Sequence, residues 1–176
     1  MNRRQDRGSS AGPSQRNSAV QQRIRQMLVL ERLCLRFPLV AAQLRARPDG
    51  RPALQVEDEH DLQDLLQALL ALEHDDIRPQ VWAPPEAGGR TQKDVLLKLD
   101  RIVVVARYAR PGLGPDELAQ RVQADIQQYR RHPDCQTLVC FVYDPERCLA
   151  HPREVERALN SEQDGFTVRV FIAPKA

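Results

Sequence analysis

The chain has 176 residues, 41% of them apolar and 28% charged, which is enough for one sizeable core and short for two. Its 26 basic and 24 acidic residues leave a formal charge of +2, a weak signal for a nucleic-acid partner. No window approaches the roughly 18 consecutive apolar residues of a membrane span, and the polar start "MNRRQDRGSSAGPSQRNS" has no signal-peptide pattern behind it, so a cytoplasmic chain with no membrane partner is expected.

Two residue types narrow the field further. Cys34, Cys135, Cys140 and Cys148 lack CxxC spacing and a histidine pair at zinc-finger intervals, so they read as reduced thiols. Lys93, Lys98 and Lys175 are the only lysines; every other cation is arginine. That choice suits bidentate phosphate recognition, and it equally suits an arginine-, alanine- and proline-rich genome. His60, His74, His132 and His151 show no ligand spacing, and "GPDELAQR" holds no phosphate loop or dinucleotide fingerprint.

In chain order, residues 1–18 read as a disordered polar tail. From Ala19 to Leu44, Val20, Ile24, Met27, Leu28, Leu30, Leu33 and Leu35 fall at helical spacing, and Pro38 is expected to split the run into a long and a short helix. "RARPDGRP" is a linker, so residues 19–52 are taken as a helical extension and 53–176 as the main domain. Residues 58–73 form a helix with an apolar stripe of Leu62, Leu65, Leu66, Leu69 and Leu70 and acidic residues at its front.

The segment "RPQVWAPPEAGGR", residues 78–90, is expected to be irregular, with Trp82 as a loop anchor. The period then changes to two: "KDVLLKL" and "RIVVVARYA" form a hairpin. Residues 115–132 form a third helix between Pro115 and Pro133, with Leu118, Val122, Ile126 and Tyr129 spaced three and four apart. "QTLVCFVY" is a strand buried on both faces, "REVERALN" a short helix and "FTVRVFIA" a last strand. Strands separated by such helices imply right-handed crossovers and parallel neighbours. The fold class is therefore α/β, a mixed central sheet flanked by helices.

A metal-dependent phosphodiesterase needs carboxylates converging on Mg²⁺ and a cation beside the attacked phosphate. One way to build this puts an acid at the start of one hairpin strand, an acid in the next, and a lysine two positions later on the same face. Asp94 fills the first position, but Val105 and Arg107 stand at the second and third.

The segments "DEHDLQDLLQALLALEHDDIRPQVWAPPEAGGRTQKDVLL", "DRIVVVARYARPGLG" and "DIQQYRRHPDCQTLVCFVYDPE" carry a resemblance that runs from about Glu57 to Pro174. The chain resembles the PD-(D/E)XK restriction-endonuclease-like domains of bacterial restriction and defence proteins, and "YRRHPDC" followed by "LVCFVYDP" is its most specific part. The resemblance implies Glu59 at the accessory helix carboxylate, Asp94 at the metal-binding aspartate, Val105 at the second metal carboxylate, Arg107 at the catalytic lysine, and Arg121 at a polar residue, usually glutamine, of the following helix.

Val105, Arg107 and Arg121 depart from that pattern. Valine offers a metal no oxygen, and an arginine keeps positive charge while its permanent proton bars it from base chemistry. Arg107 and Arg110 then either pair with Asp94 or Glu59 as a structural salt bridge, hold a phosphate, or serve a residual catalysis. The leading expectation is a pseudoenzyme with no cofactor that acts as an interaction or scaffold subunit, in antiviral defence, contacting itself or another protein through the N-terminal helix, most simply as a dimer. The alternatives are a DNA-binding module using Arg107, Arg110, Arg121, Arg130 and Arg131, and an active nuclease in which Asp94 and Glu59 hold Mg²⁺.

Overall fold

The structure, a computed structural model, describes residues 13–48, 50–82 and 92–175. Ten elements follow the chain: α1 (Pro13–Arg45), α2 (Glu59–Leu70), β1 (Ile77–Trp82), β2 (Gln92–Leu97), β3 (Ile102–Tyr108), α3 (Pro115–Tyr129), β4 (Thr137–Tyr143), α4 (Pro152–Leu159), β5 (Ser161–Gln163) and β6 (Phe166–Ala173). The six strands make one sheet in the order β1-β2-β3-β4-β6-β5.

β3, β4 and β6 are parallel neighbours, whereas β1–β2, β2–β3 and β5–β6 pair antiparallel. The mixed α/β sheet expected from the strand and helix order is thus present. Its centre is apolar on both faces because the runs in β3 and β4 are β-branched and almost entirely buried.

The two faces carry separate cores. Leu96, Val103, Val105, Cys140 and Val170 pack with Leu118, Val122 and Tyr129 of α3 and Val155 of α4. On the opposite face Val95, Leu97, Val104, Phe141 and Phe171 pack with Leu62, Leu66 and Leu70 of α2 and Leu30, Cys34, Phe37 and Ala41 of α1. The alternation that sends Val105 to one face and Val104 to the other is the period of two read from the sequence.

Three expectations about local structure are corrected. Residues 13–18 lie within α1 rather than in a tail, while residues 1–12 fall outside the described residues. Pro38 sits inside α1 without ending it. A proline there removes one helical hydrogen bond, and the burial of Phe37 and Ala41 on either side of it holds the helix against the sheet. Residues 77–82 form β1 despite Pro79, which is tolerated because β1 is an edge strand; the Trp82 side chain lies outside the described residues.

The N-terminal helix α1 packs on the α/β unit, supplying four fully or nearly fully buried side chains to one of the two cores.

Candidate functional site

The site forms where β2, β3, α2 and α3 meet. Continuing the β2–β3 register of Val95 opposite Val104 by one step sets Asp94 across from Val105. Arg107 lies two residues further along β3, on the same face as Val105, and is buried. Glu59 is the first residue of α2, and Asp125 lies on the buried face of α3.

Local sequence explains these placements. Asp58 caps α2, its carboxylate accepting from the backbone N–H of His60 at 2.8 Å and of Asp61 at 3.0 Å. Those N–H donors hold the Asp58 carboxyl below its ordinary value, the Asp61 bond first among them. Asp61 accepts in turn from the Glu57 N–H. With Asp58 and Asp61 serving the helix terminus, Glu59 is left to turn toward β3, where its Oε2 accepts from the Tyr108 N–H at 3.4 Å.

Arg107 is the hub. Its Nη2 donates to both Asp125 oxygens, at 2.7 and 2.9 Å, and its Nη1 lies 3.5 Å from Glu59 Oε1 and 3.3 Å from the Ala106 carbonyl. Tyr129, one helical turn beyond Asp125, donates its hydroxyl to Asp94 Oδ2. Among the described residues Asp94 Oδ1 is buried without a hydrogen-bond partner.

Two carboxylates, Asp125 and Glu59, thus share one buried guanidinium, with the buried Asp94 beside them. Burial works against the Arg107 charge, yet Asp125 and Glu59 outweigh it and raise the guanidinium above its ordinary value. Burial pushes the Asp125 carboxyl up to about 6, against the pull of Arg107. Asp94 is raised for the same reason, opposed by Arg107 and the Tyr129 hydroxyl. Burial beside Asp94 drives the Tyr129 phenol far up, so it stays a donor.

Of the positions expected from sequence, Glu59, Asp94, Val105 and Arg107 come together. Arg121 does not: it is exposed and pairs with Glu117 at 2.6 Å, one turn along α3. Asp125, four residues later, takes the place in the cluster. The sequence held a signal for it, since Asp125 is three residues after Val122 and four before Tyr129 on the apolar stripe, where Ile126 was read instead.

The arginines expected to meet phosphate also separate. Arg107 is buried among carboxylates, Arg130 lies over the Phe166 ring at 5.6 Å, and Arg110, Arg121 and Arg131 are exposed.

The Mg²⁺ that the resemblance implies can be tested against these donors. Val105 has no ligand atom, Asp94 Oδ2 is taken by Tyr129, and Arg107 engages Asp125 and Glu59. No group of three metal-capable side chains is present among the described residues. Asp94 Oδ1 is unengaged among the described residues, but the buried Arg107 cation already holds Glu59 and Asp125 and would repel a divalent cation set beside Asp94, so the residues do not fit the ion. The arrangement instead supplies its own fixed cation.

No curated protein and no solved structure matches the chain. The sequence profile of REase_DpnII-MboI matches residues 28–175. That span takes in the C-terminal half of α1, all the strands and the whole carboxylate cluster, in a restriction-endonuclease-like architecture. With most of its length covered, the chain belongs to the DpnII-MboI family of restriction-endonuclease-like proteins.

Proposed function

We propose that the chain is a catalytically degenerate family member that works as an interaction or scaffold subunit, in a bacterial defence assembly, rather than as a nuclease. The single observation behind this reading is the Arg107 guanidinium between Asp125 and Glu59, beside a valine where a second metal carboxylate is expected. A buried arginine neutralises the carboxylates a metal would need, and it cannot give up its proton to activate water.

The interaction role draws on α1. The helix buries Leu30, Cys34 and Phe37 against the sheet, yet Val20, Ile24, Leu28 and Leu39 on another stripe are each more than half exposed. Apolar side chains spaced four apart and left to solvent suit a second copy or another protein. A symmetric dimer is the simplest form.

Sedimentation velocity of the full chain and of a V20Q/I24Q/L28Q variant tests this. The three side chains are exposed, so the variant keeps its core. The full chain should sediment as a dimer and the variant as a monomer; a monomeric full chain at tens of micromolar contradicts self-association.

A further inference from the structure

On the opposite side of the β3 end from the carboxylate cluster lies a cavity of about 520 Å³. Its volume falls within the roughly 300–1,000 Å³ typical of small-ligand sites. Its floor is the C-terminal ends of the parallel strands β3 and β4, where Tyr108 and Tyr143 are paired in register.

Tyr108 and Tyr143 form an aromatic wall. They meet edge to face at 5.7 Å, and Phe37 braces Tyr143 from behind at 5.1 Å. Around it the cavity has two electrical poles. Arg45, at the end of α1, bears on Tyr143, whereas Glu57 and Glu146 bear on Tyr108, with Arg110 acting on the same ring from outside the lining. Among the described residues no ion pair or hydrogen bond engages the side chains of Arg45, Glu57 or Glu146; the Glu57 backbone N–H donates to Asp61.

We propose that this cavity binds a purine mononucleotide, with guanine preferred. The ring system lies against the tyrosine wall, Arg45 takes the phosphate, and the glutamates accept hydrogen bonds from the base. A carboxylate complements the adjacent imino and amino donors of guanine; adenine presents an amino donor beside an acceptor, which a carboxylate repels. The acidic pole also sets the size of the ligand. A strand would carry a second phosphate past Glu57 and Glu146, where like charges meet, so a single nucleotide is favoured over an oligonucleotide. Binding there does not depend on whether the chain cuts nucleic acid.

Isothermal titration calorimetry on the full chain with GMP, AMP, guanosine and a single-stranded hexanucleotide tests the proposal. GMP should bind more tightly than AMP and at least as tightly as the hexanucleotide. Arg45→Ala should weaken GMP by about tenfold while leaving guanosine unchanged, since it removes one charge-assisted contact. E57Q/E146Q should weaken GMP and guanosine alike. All three side chains are exposed, so these variants fold. Absence of heat with GMP at millimolar concentration, or GMP binding that ignores both variants, overturns the site; tighter binding of the hexanucleotide overturns the mononucleotide assignment.

Discussion

Arg107 and the acids around it carry most of what is unusual in this chain. A guanidinium buried with Asp125 and Glu59 is held by mutual compensation, and removing it leaves two carboxylates without their counter-charge. Arg107→Ala should therefore cost about 3–5 kcal/mol, read as a fall in the urea midpoint. Asp125 responds in the opposite sense to pH. Its carboxyl is raised from an ordinary 3.8 to about 6 by burial, so across that window the folded state binds more protons than the unfolded one. Its stabilising contribution is full at low pH and is lost as pH rises through about 6. Relative to an Asp125→Asn variant, the wild type should gain thermal stability as pH is lowered from 7 to 5; a constant difference between the two contradicts the raised carboxyl. At this scale the sequence revealed the losses more readily than the replacement. Val105 and Arg107 could be picked out by their place on a strand, because strand periodicity is strict. Asp125 was hidden because an acid on a helix normally faces water, and only burial against β3 shows that this one does not.

Among the elements, α1 separates what periodicity can show from what it cannot. Its apolar residues were evident at helical spacing, but they occupy more than one face, so the pattern did not say which face meets the sheet. The structure assigns Leu30, Cys34, Phe37 and Ala41 to the core and leaves Val20, Ile24 and Leu28 outward. Phe37 is fully buried and contacts both Phe141 and Tyr143 edge to face. Phe37→Ala should thus destabilise the whole domain by about 3–5 kcal/mol in a single unfolding transition. A small effect, or an early separate transition for the helix, would mean that α1 is a detachable extension. The hairpin, α3, α4 and the last strand were legible because each is bounded by proline or turn residues and keeps one period. β1 was not, since Pro79 and the proline- and glycine-rich stretch after it suppress the strand signal that edge pairing supplies.

For the whole molecule, the sheet order and both crossovers follow from a short list of local patterns, and membership in the DpnII-MboI family accords with them. No described helix is long and apolar enough to cross a membrane. What local pattern did not convey is how the site closes, because that depends on α2 and α3 approaching β3 from opposite faces of the sheet. Glu59 and Asp125 lie 66 residues apart in the chain and meet only through Arg107. A restriction-endonuclease-like fold is thereby combined with carboxylates that pair with an internal cation. Cleavage of supercoiled plasmid by the purified chain in Mg²⁺ and in Mn²⁺, beside an Asp94→Ala control, tests that claim most directly: the two proteins should be equally inactive, and robust nicking by the wild type that Asp94→Ala abolishes would contradict it.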